Sequence, residues 1–217
     1  MCGYLRQSGF KEFEDKVLGA IFLLLGMPLM VVVAVLIKLT SPGPVLYVQK
    51  RHGFGGRRIR VYKFRTMRCR RRTARSGLAT SSNGFHSNSA SVNARARVTS
   101  LGRVLRATSI DELPQLFNVM KGEMSLVGPR PHPVKLNQRY MATVEELPVR
   151  HCVKPGMTGL AQINGARGPI RTTNDMRRRV QYDLEYIQCW SPMLDLKIIG
   201  ITLLKGFLQR ESLELRD

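Results

Sequence analysis

Between Val17 and Ile37 the chain carries no charged side chain. Roughly 21 apolar residues form a helix of about 30 Å, the thickness of a bilayer's hydrocarbon core. The run is too long, and too poor in a small-residue cleavage site, for an ordinary signal peptide. Pro28 falls near its midpoint, beside Gly26-Met27, and two arrangements follow. One is a kinked helix that crosses the bilayer, its freed backbone groups satisfied by neighbours. The other turns at Gly26-Met27-Pro28, giving two arms of about 16 Å that reach halfway and return. Length does not separate them. Charge leans toward the second, because Arg6, Lys11 and Lys16 precede the run and Lys38 follows it, placing cations at both ends.

At 217 residues the chain can bury one sizeable core beside this element. A net charge of +20 calls for an anionic partner. Nucleic acid is the usual candidate, yet no zinc-finger or basic-zipper pattern occurs and no aromatic stacking platform interleaves the basic run. Anionic lipid headgroups and phosphorylated substrates fit better beside an apolar segment. Cys2, Cys69, Cys152 and Cys189 show no paired metal spacing and read as reduced thiols in a cytosolic setting.

After the membrane segment (residues 1–40), Ser41-Pro42-Gly43-Pro44 makes a rigid exit turn into a domain spanning 41–217. Val45–Arg51 and Ile59–Phe64 are strand-like, with Gly53, Gly55 and Gly56 between them, and predict a β-hairpin decorated by basic residues. Residues 68–97 have little apolar content and no period, and predict a basic loop. Leu101–Ala107 predicts a short helix with Arg103 and Arg106. Met176, Val180, Leu184 and Ile187 form a helical core stripe, and Leu194, Ile198, Ile201, Leu204 and Leu208 predict an amphipathic helix suited to packing or to the membrane interface.

The chemistry concentrates after Arg106. Leu113, Leu116, Phe117 and Met120 share one helical face, Pro114 belongs in a first turn, and Gly122 is a C-terminal stop. A helix starting near Asp111 puts two adjacent carboxylates, Asp111 and Glu112, at its positive end, where an anionic substrate also binds. The plain structural account is a capping box, Ser109 as cap and Glu112 reaching back.

The ordered motifs decide otherwise. Ser109-Ile110-Asp111-Glu112-Leu113-Pro114-Gln115, with Met124-Ser125-Leu126-Val127-Gly128-Pro129-Arg130-Pro131, closely resembles the bacterial sugar transferases, monotopic polyprenol-phosphate phosphoglycosyltransferases. Lys38-Leu39-Thr40-Ser41-Pro42-Gly43-Pro44-Val45, Tyr62-Lys63-Phe64-Arg65-Thr66-Met67 and Lys154-Pro155-Gly156-Met157-Thr158-Gly159-Leu160-Ala161-Gln162 extend the likeness to about Phe13–Phe207. It implies an α+β, mostly helical fold: a re-entrant membrane helical hairpin, one β-hairpin and a compact cytoplasmic catalytic domain with interfacial helices. The implied reaction moves a sugar 1-phosphate, glucose 1-phosphate by the details of the C-terminal half, from a UDP-sugar to undecaprenyl phosphate. It would start exopolysaccharide or glycan assembly on the cytoplasmic face of the bacterial inner membrane, feeding downstream glycosyltransferases. Galactose or an N-acetylated sugar is the alternative within that chemistry, and an inactive membrane scaffold the alternative outside it. Asp111 is the implied nucleophile and Glu112 the implied Mg²⁺ ligand. Lys63, Arg65, Arg106 and Arg130 are implied phosphate contacts, and Pro155, Gly156, Thr158, Gln162, Asp183 and Tyr186 are further site candidates. The chain departs from the family before Val98: Ala94-Arg95-Ala96-Arg97 stands where members usually place acidic residues.

Overall fold

A computed structural model describes residues 9–68 and 98–208, and side chains through residue 204. Most of the described chain is helical, with two small sheets. The N-terminal apolar run lies within one 32-residue helix, α1 (Gly9–Thr40), the only described helix long and apolar enough to cross a membrane. It stays helical through Gly26-Met27-Pro28, where the sequence suggested a turn between two arms. Packing on both sides of the proline holds it. Gly19, Leu18 and Leu23 meet the domain before Pro28, and Met30, Val33 and Ile37 are buried against it afterwards, around Phe64 and Leu105. The opposite side remains apolar and exposed, with Leu24 and Leu39 each more than three-quarters accessible. A soluble surface rarely carries so continuous an apolar strip, which marks a lipid-facing or protein-facing side.

Polar ties fasten both ends of α1 to the same domain. Near its start, Asp15 Oδ1 accepts from Ser125 Oγ and from the Leu126 amide, each at 2.9 Å, and Lys11 reaches Asp195 at 2.5 Å. Just past its end, the Arg65 guanidinium donates to the Ser41 carbonyl and hydroxyl at 2.7 Å.

The β-hairpin forms as expected from its strand-like runs and the glycines between them. Strands β1 (Leu46–His52) and β2 (Arg58–Phe64) pair antiparallel, Leu46 opposite Phe64 and His52 opposite Arg58. Val61 and Phe64 are buried while Arg58 and Arg60 stay exposed. The 68–97 basic loop and the departure before Val98 fall almost wholly outside the described residues. Helix α2 (Ser100–Ala107) then rests directly on the end of the hairpin, and a Cβ at Gly102 would stand 2.1 Å from the Thr66 carbonyl oxygen.

After α2 come a 3-10 turn (Ile110–Gln115) and the short helix α3 (Leu116–Met120), ended at Gly122 with φ of 73°. Strand β3 (Ser125–Val127) pairs in parallel with β4 (Gly156–Thr158), a sheet that no sequence period announced. Helix α4 (Val134–Tyr140) and a 3-10 turn (Val149–Cys152) lie between these strands. Helix α5 (Leu160–Ile163), α6 (Thr173–Cys189) and α7 (Pro192–Leu208) complete the domain. The largest core gathers Val61, Leu116, Val119, Met124, Leu126, Val127, Tyr186 and Ile198, joining the hairpin, α3, β3, α6 and α7. Of the C-terminal apolar stripe, Ile198 is fully buried while Leu204 is exposed, so α7 both packs and presents apolar surface.

Candidate active site

The Tyr62–Met67 motif divides its work residue by residue, because a strand points successive side chains in opposite directions. Phe64 enters the core. Lys63, on the other face, places its ammonium 2.7 Å from Glu112 Oε1. Arg65, also expected as a phosphate contact, is buried and holds Ser41 at the exit of α1. Thr66 Oγ1 accepts from Arg106 Nε at 2.8 Å.

The capping box that the letters from Ser109 to Glu112 would allow is absent. Ser109 adopts φ 60°, a left-handed conformation unusual for a non-glycine residue, and its side chain caps no helix amide. Its hydroxyl accepts from Arg167 at 2.6 Å. The kink ends α2 and aims the following turn back at β2. Glu112 therefore reaches Lys63 and Arg130 rather than its own helix start. Arg130 grips it through both guanidinium nitrogens, the bond from Arg130 to Glu112 Oε2 measuring 3.1 Å. Such a fork between planar groups fixes both orientation and charge.

The two adjacent carboxylates are thus in different states. Burial alone would raise the Glu112 pKa, but the charges and hydrogen bonds of Arg130 and Lys63 win and hold it well below the usual carboxylate range. Asp111 has no hydrogen-bond or ion-pair partner among the described residues. Burial, then the neighbouring Glu112 charge, push its carboxyl up to about 6 against the pull of Lys63, Arg106 and Arg130. One carboxylate is clamped, its charged form favoured by Arg130 and Lys63. The other is unengaged.

Arg130 is itself supported from behind. Arg150 donates to the Arg130 carbonyl oxygen at 2.7 Å and pairs with the buried Asp183 at 2.7 Å. Burial pushes the Asp183 carboxyl up to about 6 even beside Arg150 and Arg179. Asp183 therefore acts on the site through Arg150. Tyr186, the other α6 candidate, donates toward the Val127 carbonyl and Asp195 at 3.0 and 2.8 Å, pinning β3 to α7. Thr158 Oγ1 meets Thr202 Oγ1 at 2.7 Å, and Gln162 donates to the Met157 carbonyl at 3.1 Å.

Pro155 and Gly156 are where the two family motifs cross. The Pro155 carbonyl accepts from Ser125, the Gly156 amide donates to Pro129, and Gly128 donates to Thr158, all within 3.0 Å. A Cβ at Gly156 would lie 2.1 Å from the Gly128 nitrogen, so only glycine allows this approach. The structure thus brings Lys63, Arg106, Asp111, Glu112 and Arg130 to one place. Pro155, Gly156, Thr158, Gln162, Asp183, Tyr186 and Arg65 form the frame around it. Sequence reading missed Thr66, Arg167, Arg150 and Arg51; the last donates to the Pro131 carbonyl and has its pKa lowered to about 10 by burial and by Arg130. Position in the basic hairpin was the one sequence signal for Arg51; Arg150 and Arg167 had none beyond charge.

Against known proteins, the family model described as Bacterial sugar transferase matches residues 6–209. The chain belongs to the bacterial sugar transferase family. Among its relatives, the UDP-glucose:undecaprenyl-phosphate glucose-1-phosphate transferase of Klebsiella pneumoniae is 45% identical over 203 residues, covering 94% of this chain and 41% of the relative. The UDP-N-acetylgalactosamine-undecaprenyl-phosphate N-acetylgalactosaminephosphotransferase of Aeromonas hydrophila is 39% identical over 200 residues, 91% of this chain and 44% of that protein. The exopolysaccharide production protein PSS of Rhizobium leguminosarum bv. phaseoli is 43% identical over 180 residues, 82% of this chain and 84% of the relative. The chain spans about two-fifths of the length of the first two relatives.

Within this sugar transferase site, the donor set bears on Mg²⁺. No group of three or more His, Cys, Asp or Glu side chains able to hold a metal ion occurs among the described residues, so the chain alone does not fill a metal's coordination shell. Mg²⁺ is ordinarily held by one or two carboxylates with substrate phosphates and water. Glu112 Oε2 accepts one hydrogen bond and keeps a lone pair, and Asp111 stands adjacent. That donor chemistry fits.

Proposed function

We propose that the protein transfers a sugar 1-phosphate, glucose 1-phosphate first among candidates, from a UDP-sugar to undecaprenyl phosphate through a covalent Asp111 intermediate. The observation that carries this reading is the split between a clamped Glu112 and an unengaged, chemically available Asp111, side by side amid Lys63, Arg106 and Arg130. A carboxylate oxygen of Asp111 attacks the sugar-proximal phosphorus. The bond to the bridging anhydride oxygen breaks, and UMP leaves with the electron pair. The resulting acyl phosphate carries the sugar with its anomeric bond untouched. A phosphate oxygen of undecaprenyl phosphate then attacks the same phosphorus, and Asp111 departs as a carboxylate. Lys63, Arg106 and Arg130 supply cations where negative charge develops on phosphate oxygens. Mg²⁺, held by Glu112 with Asp111 at hand, would shield the diphosphate and stabilise the leaving nucleotide.

The names of the relatives support the substrate class, and the Aeromonas hydrophila relative keeps an N-acetylated sugar in contention. The test is product analysis with undecaprenyl phosphate and a panel of UDP-glucose, UDP-galactose and UDP-N-acetylhexosamines. A glucosyl-diphosphate lipid should dominate. Formation of no lipid product from any donor would sink the reading.

The membrane arrangement belongs to the same proposal. The domain lies on the cytoplasmic face of the inner membrane, hands its product to further glycosyltransferases, and has both ends of α1 on that side, re-entrant in path though continuously helical. Its support is that Asp15 and Lys11 at one end, and Ser41 at the other, bind the same domain. A straight transmembrane rod would part those contacts by the width of the bilayer. Anionic lipid headgroups would meet the basic hairpin surface. Accessibility tags fused before Gly9 and after Leu208 should both report the cytosol, and tags on opposite sides would refute it.

A further inference from the structure

Among the described residues Ser109 alone combines a side chain with a positive φ, at 60°. In that region the Cβ of an L-residue crowds the next carbonyl oxygen, so a serine is held there only by its surroundings. Its own backbone ties are ordinary ones. The Ser109 amide donates to the Arg106 carbonyl at 3.3 Å, and its carbonyl accepts from the Glu112 amide at 3.0 Å. Arg106 closes α2, bonded to Thr66, and Asp111 follows two residues after Ser109. The Ser109 backbone is thus the joint between a cation of the site and its unengaged carboxylate. Rotating that joint would carry Asp111 away from Arg106.

What holds the joint comes from far along the chain. Arg167 Nη2 donates to Ser109 Oγ at 2.6 Å, a short bond from a charged donor. Among the described residues the Arg167 guanidinium makes no other hydrogen bond or ion pair. The backbone around it is fixed on both sides. Before it, Gly165 turns with φ of 79° and the Ala166 amide donates to the Ala161 carbonyl at 2.8 Å. After it, the Gly168 carbonyl accepts from Arg179 of α6 at 2.7 Å. The guanidinium therefore reaches Ser109 from an anchored base. The reaction proposed above assigns no part to Arg167 or to Ser109.

We propose that Arg167 is a positioning residue for the reaction: its bond to the Ser109 hydroxyl keeps the left-handed turn that sets Asp111 beside Arg106 and the clamped Glu112. The inference rests on the reading of Asp111 as nucleophile. A nucleophile held out of line slows the chemical step and leaves donor affinity to the groups that grip the phosphates. The effect of losing Arg167 therefore falls on kcat. Glycine takes positive φ with no Cβ to crowd, so at position 109 it would keep the turn without the guanidinium. That gives the proposal an unusual signature, in which removing the hydroxyl that Arg167 binds repairs the loss of Arg167.

The test is a double-mutant cycle on the full chain in detergent, each variant shown folded by thermal unfolding and turned over with UDP-glucose and undecaprenyl phosphate. Arg167→Ala should lower kcat about tenfold, the scale of one charge-assisted hydrogen bond, with KM for the donor changed by less than about twofold. Ser109→Ala should cost the same, and the two together no more than either alone. Adding Ser109→Gly to Arg167→Ala should restore most of the lost kcat. A loss that Ser109→Gly leaves unrepaired, or that falls on KM, puts Arg167 on the substrate and overturns the proposal, as do additive losses or a wild-type kcat in Arg167→Ala. Exchange of the Glu112 amide hydrogen reads the turn without any chemistry, since that amide bonds the Ser109 carbonyl. Arg167→Ala should speed it, and unchanged exchange overturns the inference whatever the turnover. Its fate is separable from that of the reaction. Wild type that turns over yet never carries phosphosugar label removes the nucleophile reading, while glycine repair of turnover keeps Arg167. Labelled wild type with an Arg167→Ala protein labelled equally fast keeps the nucleophile and removes Arg167.

Discussion

An Asp111→Asn protein should turn over at least roughly 10⁴-fold more slowly than wild type, the scale seen when a covalent nucleophile is removed. It should also carry no label after incubation with radiolabelled UDP-glucose, whereas wild type without acceptor lipid should retain label through denaturation. The substitution keeps shape and removes only the charge. Because Asp111 has no bonding partner among the described residues, its replacement leaves no donor stranded, and the fold should persist. The label has a pH signature. Burial and Glu112 raise the Asp111 pKa to about 6 in the metal-free protein, so protonation on acidification removes the nucleophile. A bound cation pulls that value down, which puts the acid limb of labelling at or below about pH 6. A wild type that turns over without ever holding label, together with an active Asn variant, would refute the covalent route.

The second large effect concerns a residue with no chemistry. Gly156→Ala should cost about 3 kcal/mol of stability and take activity with it. The added methyl would stand 2.1 Å from the Gly128 nitrogen and 2.5 Å from the Thr158 carbonyl oxygen, both backbone atoms that no rotamer change can move aside. Separating β3 from β4 displaces Pro129 and Arg130, which are next along the chain from that crossing. Gly200→Ala is the matched control, since open space surrounds it inside α7. It should leave the denaturation midpoint level or slightly raised. A Gly156→Ala protein as stable as that control would show that the crossing does not constrain the site.

These two cases show what the sequence made legible. The hairpin was readable because two short runs rich in Val, Tyr and Ile, separated by Gly53, Gly55 and Gly56, encode a strand pair and its turn locally. Gly122 was readable because a helix stop depends on local φ alone, and the structure has it at 73°. The β3–β4 pair was not, since three-residue strands leave no period and their partners are some thirty residues apart. Nor was the left-handed Ser109: serine before an acid three residues on carries the same letters as a capping box, and the tertiary pull of Lys63 and Arg130 on Glu112 decided between them. At Gly26-Met27-Pro28 the letters alone did not say whether the helix breaks. A proline removes one hydrogen bond from a helix, and side chains packed before and after it sufficed to keep the segment helical. Arg65 and Lys63 sat two residues apart in one motif and could not be told apart by type; burial at Ser41 sorted them.

The fastening of α1 at both ends has a consequence for how the acceptor is found. Asp15 holds the very strand, Ser125–Val127, that runs on into Gly128, Pro129 and Arg130, while Ser41 holds Arg65, two residues beyond Lys63. The anchor and the cationic grip on Glu112 are thereby parts of one stiff piece. In the proposed topology the reaction zone sits at a constant height over the lipid headgroups and cannot swing out into the cytosol. A lipid-borne phosphate needs no extraction to reach it. It arrives by drifting sideways in its own leaflet, so the search is two-dimensional, and the water-soluble donor is the one substrate that must come from bulk solution.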